Sequence, residues 1–191
     1  HPTRRLDPRS GSDRRRRRSG SSDGVHGDAA FQALEMEFPE PSNDYFEKLI
    51  ASIKKHGYHL TGVSGDDGIP TFLYSIGLWK TQSHPEFLVL GLHRDMAAQV
   101  GKRACDRVVS GHRYNHGDID NSLSNGFACQ ILEIPKVLTS RWMLSDNWLY
   151  GEQNYPAFQI VFQDEEKNWP WDDEASIQFL RNQPMLARRF R

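Results

Sequence analysis

The clearest pattern along the chain is that of an amphipathic helix. Apolar residues recur at helical spacing at Phe46, Leu49, Ile50 and Ile53. Ser42, Asn43 and Asp44 are candidates for the N-cap, and Asp44 with Glu47 fits an acidic version of the capping box. Two lysines and a histidine precede Gly57, where a helix can end in the left-handed conformation. The sequence therefore predicts a capped helix that ends just before Gly57.

Five segments have the pattern of strands: residues 58–63, 71–76, 87–92, 127–134 and 157–163. The turn SGDDG at 64–68 joins the first two, which predicts an antiparallel hairpin. Gly77, directly after the second segment, marks a bulge or a close backbone approach. The segment FLVLGL at 87–92 is apolar throughout, so we expect a central strand covered on both faces.

Three further helices are predicted between and after these strands. One is capped by Asp95, has an apolar stripe from Ala97 to Val108 and ends at Gly111. The others cover residues 137–150 and 175–180. Helices and strands alternate without a regular βαβ rhythm. This favours an α+β fold: a mostly antiparallel sheet or partial barrel of about five strands, with helices packed on one side.

Charge divides the chain unevenly. Residues 1–28 carry a balance of +4 and the remainder −5, although the formal net charge is only −1. The first segment is nearly devoid of aliphatic residues, so we predict a disordered Arg-rich tail at 1–28. Residues 29–42 are interpreted as a linker or short docking segment, 43–186 as a single domain, and 187–191 as a C-terminal tail. The run Arg14–Arg18 could bind nucleic acid or an anionic membrane surface, but a solvated tail is the favoured interpretation.

Several classes of protein are disfavoured by composition. No apolar run approaches the length of a membrane helix, and the start of the chain has no signal-peptide core. Cys105 and Cys129 are too few for a disulfide scaffold or a four-thiolate zinc site, and we expect both to be small core residues. These features predict a soluble, cytoplasmic protein.

An ordered series of motifs resembles a bacterial family known as domain of unknown function 4262. The motifs are FLYSIGL (72–78), HPEF (84–87), YG (150–151), QIVFQD (159–164), WPWD (169–172) and QP (183–184). The resemblance covers about residues 45–186, with Ser75 where threonine is expected in most relatives. It implies an α+β domain and no established reaction.

Polar and aromatic side chains that flank the middle of the predicted sheet form the candidate ligand-binding site. Arg94 precedes a helix N-terminus, where free N–H groups and the positive end of the dipole favour an anion. We expect these side chains to converge on one cavity: Tyr74, Ser75, His84, Glu86, Arg94, Asp164, Trp169 and Trp171.

Ordinary structural roles compete with this hypothesis. Glu86 and Arg94 could form an ion pair, and Pro85 could orient His84 as a loop residue. The two tryptophans could stack on a planar ligand, receive a peptide, or cap the core, and core capping is favoured. A polar loop is favoured over a metal site for the cluster His112, His116, Asp118 and Asp120, because flanking glycines make a helix unlikely there.

Three function classes remain open. The favoured hypothesis is a non-catalytic module that binds a small anionic ligand or a protein partner, because no nucleophile motif or cofactor loop accompanies the polar cluster. The alternative is a flavin-binding or redox enzyme of split-barrel type, with FMN as the cofactor, its phosphate at Arg94 and a tryptophan over its ring. The third is nucleic-acid binding through Arg14–Arg18, which the acidic body opposes.

Overall fold

A computed structural model describes residues 37–66, 68–152 and 154–187. The predicted disordered tail, with Arg14–Arg18, lies outside these residues. In these ranges the helices are α1 (Asp44–His56), α2 (Leu78–Gln82), α3 (Arg94–Val109), α4 (Lys136–Trp142), α5 (Leu144–Tyr150) and α6 (Ile177–Asn182). The strands are β1 (His59–Val63), β2 (Phe72–Ile76), β3 (Glu86–Leu90), β4 (Ile119–Asp120), β5 (Cys129–Glu133) and β6 (Ala157–Phe162).

The strands form one mixed sheet in the order β1-β2-β3-β6-β5-β4. The predicted hairpin is confirmed: β1 and β2 are antiparallel, and β3 continues the meander. The pair β3 and β6 is parallel, with Glu86 opposite Ala157 and Val89 opposite Ile160, whereas the other neighbours are antiparallel. The α+β class is therefore confirmed as an open, mostly antiparallel sheet.

Helices cover both faces of the sheet, so the expectation that they pack on one side is wrong. The physical reason is that β2, β3 and β6 are buried along their whole length, and a strand without a polar face must be covered twice. On one face α3 packs on Leu73, Phe87, Val89, Phe158 and Ile160. On the other, α1 and the α4–α5 region pack on Phe72, Tyr74, Ile76, Leu88 and Leu90.

Helix α1 begins and ends as predicted, and its N-cap is one of the three candidate residues. Asn43 is the N-cap, and its side chain accepts hydrogen bonds from the N–H groups of Tyr45 and Phe46. Asp44 lies inside the first turn, so the proposed capping box is wrong and the acidic residues there complement the helix dipole instead. Gly57 ends the helix at φ 82° and donates its N–H to the carbonyl of Ile53.

Four elements differ from the sequence prediction. The helix predicted at 137–150 is two helices, because the backbone turns at Met143 (φ −112°, ψ 65°). Asp95 does not cap α3, since the N-cap is His93 and Asp95 lies in the first turn. The short α2 and the two-residue β4 were not predicted.

The end of the described chain is held against β6 by two buried glutamines. The Gln183 amide exchanges hydrogen bonds with the N–H and carbonyl of Phe162 at 2.9 and 3.0 Å. Gln159 accepts from the N–H groups of Leu186 and Ala187, and donates to the carbonyl of Pro184. Gln183 thus occupies the edge of β6 where β3 has ended, and this contact fixes α6 beside the sheet.

No helix in the described residues is long and apolar enough to cross a membrane.

Candidate functional site

The structure places several of the predicted site residues at opposite ends of β3. His84 and Glu86 lie at the amino end of the strand, whereas Arg94 follows its carboxyl end. Because β6 is parallel to β3, Asp164 lies beyond the same carboxyl end as Arg94. Four residue steps along β3 span about 13 Å. The expected convergence on a single cavity is therefore not found, and Glu86 does not meet Arg94 as an ion pair.

Glu86 is the centre of the group at the amino end, and it is fully buried. Its Oε2 accepts a hydrogen bond from the Ser75 hydroxyl at 2.5 Å. Its Oε1 accepts from the N–H groups of Gly77 at 2.9 Å and Trp79 at 3.0 Å, and from the Tyr150 hydroxyl at 2.7 Å. One carboxylate thus joins β2, α2, β3 and α5.

The local sequence explains why these donors meet Glu86. Gly77 has φ 109°, and a Cβ there would lie 2.8 Å from Ile53 Cγ1, so the prediction of a close backbone approach is confirmed. This backbone turn directs the first N–H groups of α2 toward Glu86. Ser75 also accepts the N–H of Phe87 at 2.8 Å, which replaces a main-chain bond where β2 and β3 separate.

The environment of Glu86 suits a structural anion. Burial raises the pKa of Glu86, and the hydrogen bonds from Ser75, Trp79, Tyr150 and Gly77 oppose that rise by stabilising the charged form. Burial and the nearby charge of Glu86 raise the pKa of Tyr150, so this hydroxyl stays a donor. Because no part of Glu86 is exposed, the arrangement fastens elements together and offers no surface to a ligand.

A second buried carboxyl, Asp146 on α5, was missed by sequence reasoning. Neither of its oxygens has a hydrogen-bond partner, and the residue is fully buried. An acidic residue in the first turn of a helix is ordinarily solvated and favourable, so the sequence carried no signal that this one faces the core. Nearby, the Tyr74 hydroxyl donates to Ser145 Oγ at 3.1 Å.

His84 is buried and uses both ring nitrogens. Its Nε2 accepts the N–H of Tyr114 at 3.2 Å, so Nδ1 carries the proton and donates to the carbonyl of Pro85 at 2.7 Å. Burial lowers the pKa of His84, which keeps the ring neutral. These contacts favour the structural interpretation, in which Pro85 helps to orient the ring.

The lowered pKa of His84 predicts a loss of stability in acid. The unfolded chain binds a proton that the folded chain resists, so the free energy of unfolding falls as pH drops below about 6.5. Urea unfolding between about pH 7.5 and about pH 5 measures this slope, and we expect His84→Gln to reduce it. His93→Gln, at an exposed position, is the control. An acid slope that is the same in His84→Gln and wild type would contradict this assignment.

At the carboxyl end of β3 and β6 lies an open cleft of about 590 Å³. Its apolar surface comes from Leu92, Met96, Phe127, Phe162 and Phe179. Its rim carries Asp164, Glu165, Glu166 and Lys167 from the loop after β6, and Gln178 and Asn182 from α6. This volume is within the range of small-molecule sites, roughly 300–1,000 Å³.

A second recess of about 360 Å³ shares Gly91, Leu92 and Asn182 with the first, so the two are adjacent. His93 and Arg94 line it, with the Ser64 and Thr71 positions opposite. Arg94 is exposed and begins the 16-residue helix α3, whose N-cap makes no side-chain hydrogen bond. Asp95 is the acidic group in that first turn.

The remaining predicted site residues are Asp164, Trp169 and Trp171. Asp164 lines the larger cleft, but its carboxylate accepts two hydrogen bonds from Asn168. The backbone N–H of Asn168 donates at 2.7 Å, and the side-chain amide of Asn168 donates at 3.2 Å. The rings of Trp169 and Trp171 stack on each other, with centroids 5.3 Å apart and planes 8° apart.

The described residues contain no group of three side chains that could hold a metal ion. His116 Nδ1 accepts the N–H of Glu133 at 2.8 Å, and Asp118 accepts the N–H of Asn115 at 2.7 Å. Cys105 and Cys129 are free and buried, as predicted, and burial raises the pKa of Cys129 to about 12.

Fold and site together define an α+β domain with a mixed sheet. A buried carboxylate lies at the amino end of β3, and an open cleft lies at its carboxyl end. The chain belongs to the family described as Domain of unknown function (DUF4262), whose model matches residues 52–176. The matched range contains the whole sheet, whereas α6, one wall of the cleft, follows it. Comparisons with curated proteins and with solved structures found no match.

Proposed function

We propose that this domain is a non-catalytic binding module that holds a small anionic ligand in the cleft at the carboxyl ends of β3 and β6. The observation that carries the proposal is that two recesses of different character adjoin at Gly91, Leu92 and Asn182. One recess is lined by a cationic side chain and the other by aromatic rings. A single ligand with an anionic group and an apolar body would contact both.

The anionic group is assigned to the recess at Arg94. The guanidinium offers five N–H donors in a fixed plane, which matches a phosphate or carboxylate. Arg94 is exposed, and the uncapped first turn of α3 adds N–H groups and a positive dipole end at the same place. Asp95 reduces this attraction, so Arg94 carries most of the expected affinity for the anion.

The apolar body is assigned to the larger cleft. Phe162 packs against Phe127 and Phe179, with ring centroids 5.4 and 5.9 Å away, and this group forms the floor. Burial of ligand surface on such a floor contributes about 25 cal/mol per Å² before the entropic cost of binding. Glu86 and Asp146, two carboxyls whose pKa values are raised, are fully buried, so they support a structural role rather than catalysis in this cleft.

Calorimetric titration with inorganic phosphate, adenosine monophosphate and flavin mononucleotide tests the proposal. We expect saturable binding of at least one nucleotide, tighter than that of phosphate alone, and weakening by about tenfold or more in Arg94→Ala, since a hydrogen bond to a charged group contributes about 1.5–3 kcal/mol. Arg141→Ala, at another exposed arginine, is the matched control and should bind as wild type does.

The outcomes separate the competing functions. Binding that survives Arg94→Ala unchanged, or a nucleoside that binds as tightly as its phosphate ester, would contradict the assigned anion position. Oxidation of a reduced nicotinamide by the flavin-bound protein would favour the split-barrel enzyme instead. Nucleic-acid binding through Arg14–Arg18 stays a prediction, which deletion of residues 1–28 tests. We also propose a cytoplasmic location, which the two free cysteines support.

A further inference from the structure

Among the described residues, Asp146 is the one buried side chain with polar atoms that lack a hydrogen-bond partner. Both of its carboxyl oxygens are in this state. Burial without a partner is costly for a neutral polar group and much more so for a charge. A folded protein tolerates such a carboxyl when it is protonated or when a cation compensates it. The surroundings of Asp146 decide between these states.

The groups near Asp146 are acids and hydroxyls. Tyr150, one turn after Asp146 on α5, donates to Glu86 on β3 at 2.7 Å, so the two buried carboxyls lie on either side of this contact. A negative charge on Asp146 would raise the pKa of three nearby tyrosines: Tyr74 on β2, Tyr150 on α5 and Tyr155 before β6. From α1, the hydroxyl of Tyr45 reaches the neighbouring Ser145 at 2.8 Å. The ion pairs of the described residues, Lys102–Asp106 and Arg107–Asp120, lie elsewhere.

The two carboxyls differ sharply in what supports a negative charge. Glu86 accepts hydrogen bonds from two hydroxyls and two backbone N–H groups, all of which stabilise an anion. Asp146 has no donor at all. Two neighbouring carboxyls in an apolar environment do not both ionise readily, and the one with fewer donors keeps its proton.

We propose that Glu86 and Asp146 form a buried proton-binding pair, in which Asp146 holds the proton and Glu86 holds the negative charge. The pair lies at the amino end of β3 and does not depend on the ligand cleft. Burial first, and the charge of Glu86 second, raise the pKa of Asp146 well above its ordinary value, in agreement with this assignment.

Proton loss from Asp146 would act on α5. The same short helix carries Tyr150, whose hydroxyl binds Glu86 and the backbone of Gly77. A newly charged Asp146 would be driven toward water, which it reaches only if α5 leaves its buried position. We therefore expect raised pH to weaken the packing of α5 on the rest of the domain, whereas a protonated Asp146 preserves this packing.

Carboxyl-carbon NMR of the full chain labelled at aspartate tests the protonation state directly. We expect one aspartate carbon to keep the shift of a protonated carboxyl at neutral pH, where the others have titrated near the ordinary value of about 3.9. That resonance should disappear in Asp146→Asn and persist in Asp173→Asn, an exposed control. A spectrum in which every aspartate is ionised at neutral pH overturns the proposal, and this result needs no variant.

The pH dependence of unfolding gives an independent readout. The folded chain binds a proton that the unfolded chain has released, so the unfolding constant rises with pH, by up to about tenfold per pH unit between the two pKa values. His84 contributes a slope of the opposite sign, so the difference between wild type and Asp146→Asn isolates the pair. Identical profiles for the two chains would overturn the proposal. Ion-specific stabilisation of the wild type by sodium, potassium, magnesium or calcium, with Asp146 ionised, would assign a cation site instead.

Discussion

Glu86→Ala is expected to lower the free energy of unfolding by about 3–5 kcal/mol, because four donors around a fully buried carboxylate lose their acceptor at once. The affected groups belong to β2, α2 and α5, so the loss spreads over every element that the carboxylate joins. Equilibrium urea unfolding at neutral pH measures it. Glu86→Gln, which keeps one carbonyl oxygen for the N–H groups of α2, should lose less.

The control for this prediction is Glu133→Ala. Glu133 ends β5 and is exposed, so truncating its side chain should change stability by no more than about 0.5 kcal/mol. If Glu86→Ala costs no more than this control, the carboxylate does not fasten the elements together, and the structural role assigned to Glu86 is wrong.

Gly91→Ala is expected to cost about 2–4 kcal/mol and to disturb the cleft. Gly91 has φ 84°, a conformation that a side chain disfavours, and a Cβ there would overlap the carbonyl oxygen of Asn182. Either α6 moves away or the strand end rearranges, and both change the wall shared by the two recesses. Urea unfolding and ligand titration on the same samples measure the two effects.

Gly62→Ala is the matched control, because a Cβ at that position meets nothing within 4 Å and φ is not positive. It should leave stability unchanged or raise it by about 0.4–1 kcal/mol, since alanine restricts the unfolded chain. Equal costs for the two glycine variants would show that α6 does not press on the end of β3, and the proposed wall would be lost.

The elements that could be predicted from sequence are those with strong local signals. Helix α1 combines an apolar stripe, a polar N-cap and a terminal glycine, and each of these acts within a few residues. The hairpin of β1 and β2 follows from alternation and a glycine-rich turn. The strand β3 was recognisable as central because both of its faces are largely apolar and must be covered.

The position of the site was not predictable in the same way. Glu86 and Arg94 flank one strand, so its length alone separates them, whereas whether Asp164 joins Arg94 depends on β6 being parallel to β3. That pairing is non-local and leaves no mark in either strand. Tyr150 reaches Glu86 from 64 residues away, and α4 and α5 decide its position.

Asp146 shows a different limit. An aspartate in the first turn of a helix matches local preference, so its burial contradicts nothing in the sequence. The cost appears only when the helix is packed and both oxygens are found without partners. Conflicts between local preference and tertiary environment are expected at functional or strained sites.

Amide chemical-shift mapping during titration with adenosine monophosphate and flavin mononucleotide shows where on the domain an anionic ligand binds. We expect saturable shifts at Gly91, Leu92, Arg94 and Gln163, with the residues around Glu86 unchanged, and loss of the response in Arg94→Ala. Shifts centred on β1 or α5, or no saturable response to either anion, would contradict a ligand site at the carboxyl ends of β3 and β6.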